Sequence, residues 1–305
     1  HIPVMVESGT EIFSTVPSGL ILDATIGGGG HSLEILKSRE DLNVIGIDQD
    51  SEALAAADSN LVGFANRVSL IHGRFDDLSA VAKQMGNQKL SGFLFDLGVS
   101  SYQLDNPHRG FSFRNDGPLD MRMNPDSQIT AGEYVNGATE EELASLLYNY
   151  GDEKYSKRVA RAIVSMRPIL GTKELADIIC DAIPARSKRS PGHPARRSFQ
   201  ALRIAVNCEI EILESSIREA IRLLKIGGRG VVLSYHSGED KVVKRTLRQL
   251  AGLDISNSKY HPEVHQQKKI SLLARKAQRA SSDEISKNPR ASSALLRKFE
   301  KVSDL

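Results

Sequence analysis

The stretch Leu20-Ile21-Leu22-Asp23-Ala24-Thr25-Ile26-Gly27-Gly28-Gly29-Gly30-His31 decides how the rest of this chain is read. Leu20 to Leu22 form a short apolar run between Gly19 and Asp23, the pattern of a buried strand. Four successive glycines then let the backbone turn sharply and approach a ligand with no Cβ in the way. Ser32 is placed to cap a following helix that carries Leu33, Ile35 and Leu36. A second apolar strand, Val44 to Ile47, ends in Asp48, about 20 residues beyond the first glycine. Strand, glycine turn, helix, strand and carboxylate is the layout of an adenine-nucleoside site, with the acid on the ribose hydroxyls.

The glycine spacing selects among nucleosides. A dinucleotide turn requires G-x-G-x-x-G; Gly27 and Gly29 fit, but Ser32 stands at the third position. A pyrophosphate also needs several backbone donors at a helix N-terminus. S-adenosylmethionine carries no phosphate, and a tighter, more variable turn is enough for it. A purely structural turn is the competing reading, and the distance to Asp48 weakens it.

Outward from this centre the chain alternates. Val6 to Val16 reads as a lead-in helix, and Asp50-Ser51-Glu52 opens another through Ala57. Val68 to Ile71 and Phe93 to Phe95 are further strands, separated by a helix from Leu78 to Met85. The expected fold class is α/β, a mostly parallel, doubly wound sheet that binds ligands at the carboxyl ends of its strands. Asp48, Phe75 and Asp96 all follow strands at that edge. Phe75 is a candidate to lie on the adenine face or, alternatively, a core residue. Asp96 is a candidate for the cofactor's amine or for the acceptor, or else it caps the next turn.

From about Leu104 to Arg203 the alternation stops. Asn106 to Pro118 is turn-rich, Thr139 with Glu142 forms a capping box for a helix to Tyr150, and two more helices follow. Residues 105–205 are therefore read as an inserted helical substrate-recognition domain. Residues 1–104 and 206–305 are read as the cofactor-binding domain. A single long helix from Arg197 through Leu224 is expected to lead back to the sheet, ending at Gly227-Gly228. Gly230 to Tyr235 is a fifth strand. Ser271–Ala274 and Ala294–Phe299 form a final antiparallel pair around a polar loop from Asp283 to Arg290.

Composition narrows the partners. The 305 residues are 40% hydrophobic and 26% charged, ordinary for a globular protein, and no apolar run is long enough for a membrane span. Cys180 and Cys208 are far apart and read as buried small hydrophobes of a protein in a reducing cytoplasm; no metal site is expected. The net charge of +2 hides an asymmetry. Residues 185–205 carry Arg186, Lys188, Arg189, Arg196, Arg197 and Arg203 and no acid, and residues 241–301 carry 15 Lys and Arg against 5 Asp and Glu. Two basic segments on an otherwise acidic chain point to a polyanion, with nucleic acid first. A solvated face is the plainer alternative for either segment alone.

Longer blocks carry a specific resemblance. His1-Ile2-Pro3-Val4-Met5, Asp23 to His31, His72-Gly73-Arg74-Phe75 and Asp96-Leu97-Gly98-Val99-Ser100-Ser101-Tyr102-Gln103-Leu104-Asp105 are among them. So are Arg109-Gly110-Phe111-Ser112-Phe113, Asp116 to Met123, Ser198 to Ile204, Tyr235-His236-Ser237 and Asn288-Pro289-Arg290-Ala291. Together they resemble the bacterial small-subunit ribosomal RNA cytosine-N4 methyltransferases, the MraW family. The resemblance implies a class I methyltransferase fold and S-adenosylmethionine as donor. It implies as acceptor a cytidine in the decoding region of 16S rRNA, within the small ribosomal subunit. Transferred residue by residue, it places cofactor contacts on Gly29, Gly30, His31, Asp48, Phe75, Asp96 and Gln103. His31 and Gln103 rest on the resemblance alone.

Exocyclic N4 of cytosine is a poor nucleophile; a hydrogen-bond acceptor near that amine favours its pyramidalisation, and Asp96 or a carbonyl of its loop is the catalytic candidate. Amino-methylating enzymes with an Asp/Asn-Pro-Pro-Tyr loop differ here, where Asp96-Leu97-Gly98-Val99 stands instead. Arg109, Arg114, Lys188, Arg189, Arg196 and Arg197 are the candidates for RNA phosphates. The rival classes are weaker. A nicotinamide oxidoreductase lacks its third glycine, a small-molecule methyltransferase leaves the basic segments without a role, and a non-enzymatic assembly factor does not need the glycine turn.

Overall fold

The computed structural model describes residues 3–84, 86, 88–185, 192–253 and 267–305. The chain divides into two compact units, one made of the residues up to Gly98 together with Ile210–Leu305, the other of Val99–Glu209. The insertion expected at 105–205 falls inside the second.

In the first unit the strands are β1 (Gly19–Asp23), β2 (Leu42–Asp48), β3 (Val68–His72), β4 (Leu90–Asp96), β5 (Leu224–Ser234), β6 (Ile270–Leu272), β7 (Gln278–Arg279) and β8 (Leu295–Lys301). They form one sheet in the order β3-β2-β1-β4-β5-β8-β6, with β7 also on β8. β1 to β5 pair in parallel, whereas β8 runs antiparallel to both β5 and β6. The closing antiparallel pair expected from Ser271 and Ala294 is this β6–β8 ladder. The burial of β4 is continuous from Leu90 to Phe95, as a strand covered on both faces requires. One core lies on each face: Phe93, Phe95 and Phe299 with Ile217, Ile221 and Leu247 on one, Phe13, Ile21, Ile35 and Leu94 on the other.

The flanking helices of this unit are α1 (Val6–Thr10), α2 (Gly30–Ser38), α3 (Ser51–Asn60) and α4 (Leu78–Gln84). The second unit holds α5 (Ser101–Asp105), α6 (Ala131–Gly137), α7 (Glu140–Gly151), α8 (Ser156–Ser165), α9 (Thr172–Ala182) and α10 (Arg196–Asn207). α11 (Leu213–Leu223), α12 (Ser237–Leu250) and α13 (Ser282–Lys287) complete the first. The second unit has its own core, from Met121, Val135, Leu143 and Leu147 to Ile163, Ile179 and Leu202.

Five expectations are corrected. The lead-in helix is α only to Thr10 and continues as a 3-10 turn from Glu11 to Thr15. The long helix after the basic segment is two, because Cys208 takes a left-handed conformation (φ 51°) that ends α10. Cys208 is also exposed rather than buried. The polar loop at Asp283 is helical, since Ser281 accepts a hydrogen bond from Glu284 N and caps α13. Gly227 and Gly228 lie within β5, opposite an irregular register with β4, and do not end a helix.

Candidate active site

The carboxyl edge of the first unit's sheet gathers the side chains that matter. β1 leaves the sheet at Asp23, and the chain keeps pairing for two more steps: Ala24 N donates to Leu94 O and Ile26 N to Ile47 O. The glycine turn follows. Gly29, at φ 77°, is the residue that directs the chain into α2, a conformation other residues reach only with strain. The turn is seated by a close approach from below. A Cβ on Gly46 in the middle of β2 would lie 2.1 Å from Ile26 Cδ1, so only glycine there lets Ile26 lie flat on the strand.

Ser32 is not the cap of α2. It is buried inside the first turn and donates to Asp23 Oδ2 at 2.6 Å. Asp23 itself is 1% exposed, and burial lifts its carboxyl from the ordinary 3.8 to about 6 against the opposing pull of the Ser32 bond.

Asp48 stands at the end of β2, where the sequence spacing put it. Its Oδ2 accepts Gly27 N at 2.9 Å and its Oδ1 accepts Asp50 N at 3.0 Å. Each oxygen thus holds one backbone donor and keeps a lone pair for a vicinal diol. Burial raises this carboxyl as well, to about 6, with the two backbone bonds opposing the shift.

Asp96 ends β4 as the centre of a polar cluster. Its backbone N donates to Thr25 Oγ1 at 2.7 Å, and its Oδ1 accepts the Tyr235 hydroxyl at 2.6 Å. His31 Nδ1 lies 3.7 Å from Oδ2, while His31 Nε2 is 2.9 Å from Val4 O, which orients the buried ring. Burial raises the Asp96 carboxyl, and His31 and the Tyr235 bond act against it. The Tyr235 phenol is pushed well above its usual value by burial and the Asp96 charge, so it remains a donor. Phe75 is half-buried, edge-on to Phe95 with ring centres 5.5 Å apart, and packs on the core beneath the edge.

Gln103 belongs to the second unit, where it closes a capping box: its N donates to Ser100 Oγ and its Oε1 accepts Ser100 N at 3.0 Å. In the same unit Phe113 stacks on His193 at 4.3 Å and meets Phe199 edge-on. This pins the segment bearing Arg114 to the start of α10. Arg114, Arg196 and Arg197 are exposed there, the last two in the first turn of α10, where the helix dipole disfavours cations. Arg109 is a correction. It is 8% exposed and its guanidinium donates to Arg122 O and Met123 O at 3.0 Å, so it builds the loop and is not offered to a phosphate. Lys188 and Arg189 lie outside the described residues.

Sequence reasoning passed over Tyr235, Thr25 and Asp23 as site residues. Tyr235 had a signal: it follows β5 as Asp96 ends β4, and the register pairs Asp96 with Leu233, two residues before it. Thr25 had none, because its role depends on the β1–β4 neighbourhood.

A parallel sheet with one reversed strand near its edge, a glycine turn after its first strand and carboxylates after its second and fourth is the architecture of class I methyltransferases, which take their methyl group from S-adenosylmethionine. More narrowly, the chain belongs to the MraW methylase family, whose model matches residues 1–302. It is 44% identical over 308 residues to ribosomal RNA small subunit methyltransferase H of Heliobacterium modesticaldum, covering 99% of this chain and 98% of that one. The protein of the same name from Carboxydothermus hydrogenoformans is likewise 44% identical, over 307 residues, with 99% and 98% covered. The residues present fit the cofactor: a turn without side chains faces the edge, and Asp48 retains acceptor capacity for ribose hydroxyls.

Proposed function

We propose that this chain methylates the exocyclic N4 of a cytidine in the decoding region of 16S ribosomal RNA, using S-adenosylmethionine and acting on the small ribosomal subunit. Near-full-length likeness to ribosomal RNA small subunit methyltransferases H supports the reaction class. The observation that carries the residue assignment is the Tyr235–Asp96–His31 cluster at the same edge as the Asp48-anchored glycine turn.

The bound cofactor supplies a methyl group already activated by its sulfonium. Asp48 would hold the ribose, the backbone from Gly29 to His31 and the carboxylate of Asp96 would orient the amino-acid end, and Phe75 would border the adenine. The amine of cytosine must present its lone pair to the methyl carbon in line with the leaving sulfur. Asp96, buried and raised in pKa, is suited to accept a hydrogen bond from that amine and then its proton, while Tyr235 holds the carboxylate in place. Exposed Arg114, Arg196 and Arg197, together with Lys188 and Arg189, take the phosphates, and the target base leaves its stack to reach the pocket.

Incubation with radiolabelled S-adenosylmethionine and small subunits from a strain lacking the modification, followed by digestion to nucleosides, tests this reading. Label in N4-methylcytidine is expected. Label in another nucleoside keeps the methyltransferase and removes the acceptor.

A further inference from the structure

On the first unit, α12 and the β6–β8 edge enclose a shallow recess lined by Lys244, Arg248, Arg275, Arg297 and Lys298 over a floor of Leu247 and Leu272. No carboxylate lines it among the described residues. Arg297 is held by Asp240 through bonds of 2.8 and 3.0 Å, and Arg248 donates to Leu253 O. The side chains of Lys244 and Arg275 have no hydrogen-bond or ion-pair partner among the described residues. Lys298 meets the recess through the β8 backbone, its side chain alternating with that of Arg297 onto the face of Leu296 and Glu300. Two unanswered cations beside two arginines crowd one recess, an arrangement that an anionic ligand would relieve.

We infer that this recess is a second RNA-contact site, which grips the phosphate backbone of the substrate away from the target base. Among the described residues the lining contains no aromatic side chain for bases to stack on, and the contact is to phosphate. Lys244 and Arg248 lie roughly 12–18 Å along α12 from its N-cap His236, the residue after Tyr235, at 1.5 Å per residue. The grip therefore falls on nucleotides removed from the one being modified. It supplies affinity and register on a large RNA without reading sequence.

The inference rests on the RNA reading above, and one titration separates the two. Binding of a fluorescein-labelled decoding-region fragment of 16S rRNA is measured at several salt concentrations for the wild type and for Lys244→Ala/Arg275→Ala. A control, Lys37→Ala/Arg222→Ala, removes the same charge from exposed ion-paired sites. The recess variant is expected to bind about tenfold or more weakly and to lose about two from its salt slope, since each phosphate contact contributes about one. Its S-adenosylmethionine affinity should equal the wild type's, and the control should keep the wild-type slope. A wild-type slope in the recess variant, or an equal loss in the control, overturns the site. A wild type whose RNA binding shows no salt dependence overturns the RNA reading itself, and this site with it.

Discussion

The hydroxyl of Tyr235 lies 2.6 Å from Oδ1 of Asp96 and donates to it, joining the end of β4 to the residue after β5. That bond stabilises the charged carboxylate, whereas burial disfavours it. Tyr235→Phe removes the donor and keeps the ring. The Asp96 pKa should then rise, and the acid limb of the kcat–pH profile should move to higher pH. At a pH below that limb the rate falls, and it recovers on the alkaline plateau. An unmoved acid limb would show that Asp96 does not titrate in the step being measured.

Asp48 joins two backbone donors to the cofactor site. Asp48→Asn preserves shape but turns one acceptor into a donor facing an N–H. Calorimetric titration of S-adenosylmethionine should show a loss of about 10- to 100-fold, the equivalent of roughly 1.4–2.8 kcal/mol. Affinity within twofold of the wild type would place the ribose elsewhere.

Gly46 lies outside the glycine turn yet controls it. Gly46→Ala drives a methyl into Ile26 Cδ1, 2.1 Å from where the Cβ would stand. Overpacking of this kind costs about 1–3 kcal/mol. Because Ile26 adjoins Gly27, cofactor affinity should fall along with the melting temperature. A variant that melts lower but binds normally would mean that the strand, not the turn, absorbs the strain.

Stability should respond to mild acid. Burial lifts Asp23 and Asp48 from 3.8 to about 6 in the folded protein. Between those values the folded chain holds protons that the unfolded chain has released, so these groups favour folding more as pH falls from 6 toward 4. Above about pH 6 both are buried anions and that stability is absent. Asp23→Asn removes one of these ionisations and keeps an acceptor for Ser32. From pH 7.5 to 5, the wild type should gain on this variant by about 1.4 kcal/mol, or roughly 2 °C in Tm. A constant gap across that range would count against a raised Asp23.

The arginines separate by burial. Arg109→Ala leaves the carbonyls of Arg122 and Met123 without their donor and should cost about 2–4 kcal/mol in stability. Arg196→Ala/Arg197→Ala should leave the melting temperature within about 1 °C, given the exposure of both side chains, and instead weaken RNA binding and flatten its salt slope. Loss of RNA binding by Arg109→Ala at unchanged stability would reverse the assignment.

What could be read from the order of residues was whatever depends on local pattern. Apolar runs of three or four residues located β1 to β4, the Asp50 and Thr139 signals located α3 and α7, and distance along the chain singled out Asp48. These depend on side-chain alternation, caps and the reach of a strand–turn–helix unit, all of which act over about twenty residues. The break at Cys208 was not legible, because it follows from side chains far apart in sequence: Asn207 reaches Met121 O and Met123 N. Arg109 misled for a related reason, since a charged residue in a turn-rich loop has the same local signature whether it faces water or two carbonyls.

The sequence by itself determined the nucleoside edge: a glycine turn, an acid at ribose distance and a basic surplus in two segments. Only the tertiary structure decided that Tyr235 holds Asp96, that Ser32 binds Asp23 instead of capping a helix, and that Lys244 and Arg275 meet at one recess. The difference is one of range. Propensity and periodicity are carried by neighbours along the chain, whereas the partner of a buried polar group is chosen by the sheet order β1-β4-β5-β8, which brings together residues separated by most of the sequence.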